Sequence, residues 1–260
     1  MATPLLWQKK LLPGIDPIYE QYGPLRIWLK CDGDELQMAH EYVDEADLNT
    51  DANPPAGELW QRWTLKRSIK DFQLTPILPD LPLVVRPESS FKLLPGVRTS
   101  IYVRIPVWVS GILGGHTLFE LPTIRLSKTW FGDFYNGEVC YWLLSSARKE
   151  IKPDSTPEYL AISPIEVVNR SDQVLQMDKL CHRVRKLSLY HNGSELWSNK
   201  TTVNYQGDNK ISEIEFSNKP PSQAGSNKAL SRARDRVGRS FTAKTFNSIL
   251  EIAKLDLFTR

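Results

Sequence analysis

An alternation of apolar and polar positions dominates the middle of the chain. From residue 97 to 109 every odd position is apolar or threonine, while Arg98, Ser100, Arg104 and Pro106 fall between them. This two-residue period predicts a β-strand with one buried face. Further along, Asn136-Gly137 separates the aromatic run 130–135 from the apolar run 139–144, as in a type I′ hairpin. The pattern therefore predicts antiparallel sheet at the centre of the chain.

Short strand-like runs recur on both sides of this centre. Residues 5–43 contain two or three of them, and residues 160–216 contain several more at short, regular spacing. Asn192-Gly193 supplies a second strong hairpin signal. Between residues 44 and 57 the chain is acidic and rich in turn residues, which indicates an exposed loop. The spacing of the later strands is typical of a β-sandwich.

The C-terminal part has a different pattern. Residues 218–227 are rich in Ser, Pro, Gly and Asn, which predicts a flexible linker. Leu230, Ala233 and Val237 then follow at helical spacing, and a similar period recurs from residue 246 to 253. We therefore expect two short helices, of which the second docks on the sheet.

These patterns predict an all-β fold of two packed antiparallel β-sandwich-like halves with a short helical C-terminal segment. The polar, proline-containing stretch near residue 152 is the best candidate boundary. The expected domains are an N-terminal β domain over residues 1–152, which includes the acidic loop 44–57, and a second sandwich-like unit over residues 153–219. Residues 220–260 would form the linker and a basic helical segment.

Composition narrows the class of protein. The chain has 260 residues, of which 41% are hydrophobic, as in ordinary globular proteins. No apolar run approaches the roughly 20 residues of a transmembrane helix, and the N-terminal lysines follow a very short apolar stretch, which is the wrong order for a secretory signal. We expect a cytoplasmic protein without a transmembrane segment. Three cysteines at distant positions make a disulfide framework improbable.

The small net charge of +3 conceals two charged blocks. Residues 32–58 hold nine acidic and no basic side chains, and residues 219–260 hold nine basic and three acidic ones. A basic tail could bind an anionic partner, such as nucleic acid or a membrane surface. The alternative interpretation, which is the commoner case, is that both charged blocks are simply solvated segments. The candidate anion-binding residues are Arg232, Arg234, Arg236 and Arg239.

Motifs for nucleotide binding and for α/β-hydrolase chemistry do not occur in the sequence. Cys181-His182 is the one place where two soft metal ligands adjoin, but neighbours on a strand face opposite sides. Cys140 or His116 would have to complete such a site, so a buried cysteine and a surface histidine are favoured. Carboxylates occur singly. We accordingly predict no catalytic residue, no metal site and no cofactor, and an enzyme is the minority interpretation.

The polar face of the central strand carries Tyr102, Arg104 and Trp108. These residue types are enriched at the centres of protein interfaces. The competing interpretation is that the aromatic side chains pack under a second layer, because aromatics are ordinary strand residues. Tyr102, Arg104 and Trp108 are the candidate partner-binding residues.

Several stretches of the chain resemble a family of archaeal and bacterial proteins known as a domain of unknown function. They are RPESSFKLLPG, YVRIPVWV, ELPTIRLSKTWFG and GEVCYWL, with GPLRIWL near the start and SPIEVVNRSD later in the chain. The family has no assigned activity or catalytic residues, so the resemblance assigns no role to any position here. Some members are associated with genes beside small mechanosensitive channel proteins, which implies an accessory of a membrane protein.

The leading expectation is a non-enzymatic binding or accessory module that presents a β-sheet face to a protein partner. The first alternative is binding of an anionic surface, nucleic acid or membrane, through the basic C-terminal segment. The second is a β-sandwich hydrolase or carbohydrate-binding protein, which requires acidic residues that converge in an aromatic cleft.

Overall fold

The structure, a computed structural model, describes residues 7, 10–11, 13–48, 50, 52–56, 59–65, 72–135, 137–151, 156–207, 211–225, 228–236, 240–243 and 245–246. Regular structure in these ranges consists of twenty-one β-strands and short 3₁₀ turns. In chain order the strands are β1 (Lys10–Leu11), β2 (Ile18–Tyr22), β3 (Leu25–Asp32), β4 (Glu35–Tyr42), β5 (Gln61–Thr64), β6 (Phe72–Ile77), β7 (Leu83–Val85), β8 (Phe91–Leu93), β9 (Arg98–Pro106), β10 (Trp108–Leu113), β11 (His116–Pro122), β12 (Lys128–Phe131), β13 (Glu138–Trp142), β14 (Leu160–Asn169), β15 (Leu175–Met177), β16 (Leu180–His182), β17 (Leu189–His191), β18 (Leu196–Ser198), β19 (Thr201–Tyr205), β20 (Ser212–Phe216) and β21 (Ser240–Ala243).

The all-β prediction is confirmed, and most strand pairs are antiparallel. Three pairs are parallel, which the sequence analysis did not predict: β13 with β7, and β14 with both β18 and β19. Parallel neighbours need a long connection that returns the chain to the same end of the sheet. The segments that separate these pairs are long enough to do so, so two of the sheets are mixed.

The chain forms two compact units, and each is assembled from three separate segments. Unit 1 comprises Met1–Ile77, Pro106–Arg125 and Pro157–Tyr159, whereas unit 2 comprises Leu78–Ile105, Leu126–Thr156 and Leu160–Arg260. This interleaved division differs from the sequential one expected from the composition of the chain.

Unit 1 contains two four-stranded sheets, with strand orders β1-β6-β10-β11 and β2-β3-β4-β5. The centre of its core is β3, in which every residue from Leu25 to Leu29 is buried. A strand buried on both faces needs an unbroken apolar run rather than an alternating one. The sequence LRIWL is such a run except at Arg26. Its guanidinium donates hydrogen bonds to the Glu41 carboxylate and to the backbone oxygens of Asp47 and Thr50.

Unit 2 contains a seven-stranded sheet of order β17-β18-β14-β19-β20-β21, with β9 paired to β14. A four-stranded sheet, β12-β13-β7-β16, and the pair β15-β8 complete the unit. The alternation predicted for the central strand is present: Ile101, Val103 and Ile105 are buried, and Tyr102 and Arg104 are half-buried. One face of β9 therefore belongs to the core and the other reaches the surface.

The hairpins follow the sequence to different degrees. The pairs β10–β11 and β17–β18 turn at Gly114-Gly115 and at Asn192-Gly193, with positive φ at the glycines. The pair β12–β13 forms as predicted, but its connection is longer than a two-residue turn: β12 ends at Phe131 and β13 begins at Glu138. The aromatic run does not continue the strand, because positive φ at Gly132 turns the chain away.

The first predicted helix, expected over residues 228–239, is wrong over the described residues 228–236. That segment is irregular, and Ser231 forms an isolated β-bridge with Leu189. Its backbone groups bond to β17, with Leu230 N donating to Leu189 O at 2.8 Å, so the sheet edge supplies the partners that a helix would have supplied internally. Of the second predicted helix, Phe246 forms a β-bridge with Leu180, and residues 247–260 lie outside the described part of the chain.

Candidate functional site

A cleft of about 290 Å³ lies within unit 2, on the surface-facing side of β9 and β14. Tyr102 and Arg104 line it from alternate positions of β9, and Leu160 and Ile162 line it from β14. The segment 145–151 supplies most of its other lining residues. Because alternate residues of a strand face the same side, Tyr102 and Arg104 both point into the cleft.

Backbone hydrogen bonds fix this segment to the strand. Tyr102 N donates to Arg148 O at 2.7 Å, and Arg148 N donates to Tyr102 O at 3.0 Å. The Ser145 hydroxyl donates to the backbone oxygen of Arg104 at 2.7 Å. Main-chain pairing and the Ser145 hydroxyl therefore hold this segment beside β9.

The lining carries both signs of charge. Arg148 Nε lies 3.6 Å from Glu88 Oε1, and the two side chains are 33% and 57% exposed. Glu150 is exposed at the same cleft. A neighbouring cleft of about 250 Å³ shares Glu88 and Arg148 and also includes Lys149. Ion pairs this exposed contribute little to stability, so these charges are available for exchange with those of a ligand.

Tyr102 also belongs to a packed cluster. Its ring packs against the buried side chains of Ile162, Tyr190 and Trp197. Tyr102 therefore both packs against the core and lines the cleft, so the two interpretations of this residue are compatible.

Trp108 does not line this cleft. It begins β10 in unit 1, where it pairs with Pro122 and Ile77 and is half-buried. The three residues that the sequence placed on one polar face thus divide into a pair, Tyr102 and Arg104, in unit 2 and a single residue in unit 1.

The basic C-terminal residues do not share a helical face. Arg232 and Arg236 are exposed, whereas Arg234 is half-buried and donates from Nε to Leu78 O at 2.8 Å. Arg239 lies outside the described residues. Between them, Asp235 forms a two-pronged ion pair with Arg185, with distances of 3.0 and 2.8 Å. That guanidinium holds the pKa of the Asp235 carboxyl below its usual value.

A second cluster of chemical interest lies in the sheet β12-β13-β7-β16. Cys140 on β13 and Cys181 on β16 are buried, and their Sγ atoms are 3.8 Å apart. Glu138 Oε1 lies 3.9 Å from Cys181 Sγ, and the carboxylate is paired with Arg183. The hydrogen bond with Cys140 and burial raise the pKa of the Cys181 thiol, although Arg183 opposes them.

His182, on the opposite face of β16, is buried, which corrects the expectation of a surface histidine. Its Nε2 lies 2.8 Å from Ser163 Oγ, to which the Ser198 hydroxyl donates at 2.7 Å. Burial, with a smaller contribution from Arg183, lowers the pKa of His182 to about 3. The imidazole is therefore neutral at neutral pH and serves as a hydrogen-bonding partner in the core.

The sequence analysis did not predict that residues 145–151 line the cleft or that Cys140 and Cys181 lie in contact. The cysteines are 41 positions apart in the chain, and no local pattern reports a pairing through an intervening strand. The sequence predicted a buried cysteine at position 181, which is confirmed, and made no prediction for Cys140, which is also buried. The lining residues Ser146 and Arg148 gave no signal, because a segment between strands has no periodic pattern.

The described part of the chain is thus an all-β protein with mixed sheets and a cleft on one face of its seven-stranded sheet. The chain belongs to the family described as "Protein of unknown function (DUF432)", whose model matches residues 7–251. The resemblance drawn from the sequence is thereby confirmed. No curated protein and no solved structure matches the chain.

Within the part of the chain that the structure describes, no helix has the length and apolar character needed to cross a membrane.

Proposed function

We propose that the protein is a non-enzymatic binding module and that the cleft lined by Tyr102 and Arg104 receives a short segment of a protein partner. The observation that carries the proposal is the presence of both side chains in one cleft whose frame is main-chain pairing. Tyrosine and arginine are among the residue types that contribute most to protein interfaces. A rigid frame also lowers the entropy lost when a partner binds.

The size of the cleft favours a peptide segment over a large cofactor. Its volume of about 290 Å³ lies at the lower end of the roughly 300–1,000 Å³ of ligand pockets. One or two side chains of a partner fill such a space. The apolar floor of Leu160 and Ile162 suits an apolar anchor, and Arg148, Glu88 and Glu150 suit charged neighbours on either side of it.

The proposal is tested by a photo-reactive amino acid at position 146. Ser146 is exposed and lines the cleft, whereas Ser100 is exposed on the same strand as Tyr102 but does not line it. In cells of the native host, a probe at position 146 is expected to cross-link one protein partner that a probe at position 100 does not capture. Identical products at the two positions, or none at position 146, would contradict the proposal.

Steric block gives a matched second measurement. Ser146→Trp places a large ring in the cleft, and Ser100→Trp adds the same ring outside it. The captured partner should bind Ser146→Trp at least about tenfold more weakly, because an interface core tolerates no misplaced ring, and should bind Ser100→Trp normally. The association with membrane-channel genes that the family resemblance implies makes a membrane protein the first partner to examine.

A carbohydrate-binding or hydrolytic function is the second candidate, and the observation that favours it is that Glu88 and Glu150 line the same cleft as Tyr102. Glycoside hydrolysis generally uses a pair of carboxyl groups that flank the scissile bond. An oligosaccharide panel tests it: binding or cleavage lost in Glu150→Gln would support this candidate.

Binding of an anionic surface by the basic C-terminal segment is less favoured. Arg234 already donates a hydrogen bond to the backbone of Leu78, and the neighbouring Asp235 is paired with Arg185, both within unit 2.

A further inference from the structure

Three potential metal-binding side chains converge on one face of the β13–β7–β16 sheet, away from the lining of the cleft. Cys140 Sγ and Cys181 Sγ are 3.8 Å apart. Together with a carboxylate oxygen of Glu138, these ligand atoms all lie within 4.8 Å of one another. Glu138 and Cys140 share one face of β13 at positions i and i+2, and Cys181 comes from β16. The approach of Cys181 is therefore a property of the folded sheet.

The separation of the sulfurs does not correspond to a disulfide, whose S–S distance is about 2.05 Å. It does correspond to a shared metal ion. Zn²⁺ binds thiolate sulfur at about 2.3 Å with tetrahedral angles, so two sulfur ligands lie roughly 3.8 Å apart. A carboxylate oxygen at about 2.0 Å from the same ion would lie roughly 3.5 Å from each sulfur. Glu138 Oε1 is 3.9 Å from Cys181 Sγ, so a small rotation of that side chain completes the geometry.

Charge and burial agree with a divalent cation here. Two thiolates and one carboxylate around a divalent ion leave one negative charge, and the Arg183 guanidinium, already paired with Glu138, neutralises it. The two cysteines pack with Val84 and Phe131, so water is excluded from the sulfur side. The Glu138 side chain is 38% exposed, which gives an ion a path from solvent.

We infer that Glu138, Cys140 and Cys181 form a binding site for a borderline-soft divalent cation of the Zn²⁺ type. Thiolate ligands select such ions over Mg²⁺ or Ca²⁺, which prefer oxygen. Three protein ligands leave the fourth tetrahedral position to a water molecule. Arg183 orients the Glu138 carboxylate and balances its charge, as residues that hydrogen-bond to metal ligands commonly do.

The test is a titration of the full-length, reduced and chelator-treated protein with Co²⁺ at mildly alkaline pH. Tetrahedral cobalt–thiolate sites have a sulfur-to-cobalt charge-transfer absorption in the near ultraviolet, and this band is expected to saturate at one ion per chain. Cys140→Ser and Cys181→Ser should each weaken metal binding by more than about 100-fold. Loss of a residue that only hydrogen-bonds to a ligand costs roughly 10–100-fold, and loss of the ligand itself should cost more. Glu138→Gln should weaken it less while the band persists.

Cys31→Ser is the matched control, because Cys31 lies in unit 1 and is a free cysteine. Its spectrum and affinity should equal those of the wild type. If a ligand variant fails to fold, the spectra of the wild type and of Cys31→Ser still test the site. In Cys31→Ser the only cysteines are Cys140 and Cys181, so a thiolate band in that variant must come from them. Absence of the band in the reduced wild type, or its persistence in a folded Cys140→Ser/Cys181→Ser double variant, would overturn the inference and leave a buried thiol pair.

Discussion

Gly111 is required by the approach of an aromatic ring. It pairs with Phe119 across β10–β11 at a β-bulge, and a Cβ at position 111 would overlap the Phe119 ring. Phe119 is buried and lies 6.3 Å from the Phe72 ring, so it has little room to move.

We expect Gly111→Ala to lower the free energy of unfolding by about 1–3 kcal/mol, the usual cost of overpacking. Gly14→Ala is the control, since a Cβ there meets no atom within 4 Å. Urea unfolding followed by fluorescence measures both. Equal stability of the two variants would show that the Phe119 ring moves aside at no cost.

The buried chain of Ser198, Ser163 and His182 depends on its middle member. Ser163→Ala leaves Nε2 of His182 and the Ser198 hydroxyl without the partner they share. An unsatisfied buried polar group costs about 1–3 kcal/mol, so unit 2 should be destabilised by at least that amount. Ser100→Ala, at an exposed position, should change the unfolding free energy by less than about 0.5 kcal/mol. A loss as small for Ser163→Ala would contradict this account.

At the scale of elements, a buried arginine ties a loop to a strand. Arg26 on β3 donates to the backbone oxygens of Asp47 and Thr50 at 2.8 and 2.9 Å and pairs with Glu41 at 3.3 Å. Most of the described side chains in the acidic loop that the sequence predicts over residues 44–57 are thus exposed, while the main chain is anchored at Asp47 and Thr50. Its order depends on a residue far from it in sequence.

Arg26→Met should release this loop. Hydrogen bonds from a charged group contribute about 1.5–3 kcal/mol each, so the loop should open at least tenfold more often, and a glutamyl endopeptidase should cleave after Glu45 correspondingly faster. Arg62→Met is the matched control, because Arg62 is exposed and makes one long ion pair with Glu35 at 3.7 Å. Equal cleavage rates for the two variants would show that other contacts hold the loop.

The strands that sequence predicts well are those with a strong local pattern. The first of the strand-like runs predicted over residues 160–216 forms β14, and the alternation around Tyr102 orients β9 correctly. Both successes rest on side-chain burial, which the period of the sequence reports directly. The cleft is only half predictable in the same way, because its β9 side follows the period and its 145–151 side depends on long-range contacts. These are the bridges of Arg148 with Tyr102 and of Ala147 with Pro87, and the bond from Ser145 to Arg104.

The C-terminal segment shows why local pattern fails. Three apolar residues at helical spacing are weak support for a helix, and tertiary contacts override such a preference. Leu230 is buried, and the backbone beside it bonds to Leu189 of β17. The unpaired edge of β17 decides the conformation, and that edge exists only after a sheet has formed from strands tens of residues away. The same reason hides the meeting of Cys140 and Cys181.

At the scale of the whole molecule, the chain leaves and re-enters each unit. Unit 1 receives Pro106–Arg125 and Pro157–Tyr159 in addition to its N-terminal segment, and both are bonded there: Val107 N donates to Tyr159 O at 3.0 Å. Composition marks boundaries by linkers, and a strand that continues from one unit into the next contains none. β9 is such a strand, since Ile105 belongs to unit 2 and Pro106 to unit 1.

A fragment of residues 1–152 therefore should not behave as a folded domain throughout. It retains every described strand partner of β3, which are β2 and β4, but it removes β14, the partner of β9. Strand amides without a partner exchange freely, so hydrogen exchange should find the β9 amides that bond to β14 protected in the full chain and unprotected in the fragment. The Tyr102 amide is left out of the comparison, because its partner Arg148 is present in both samples. The amides of β3 provide the internal reference in both samples. Protection of β9 in the fragment equal to that in the full chain would mean that residues 1–152 fold by themselves and that the interleaving of the two units is dispensable.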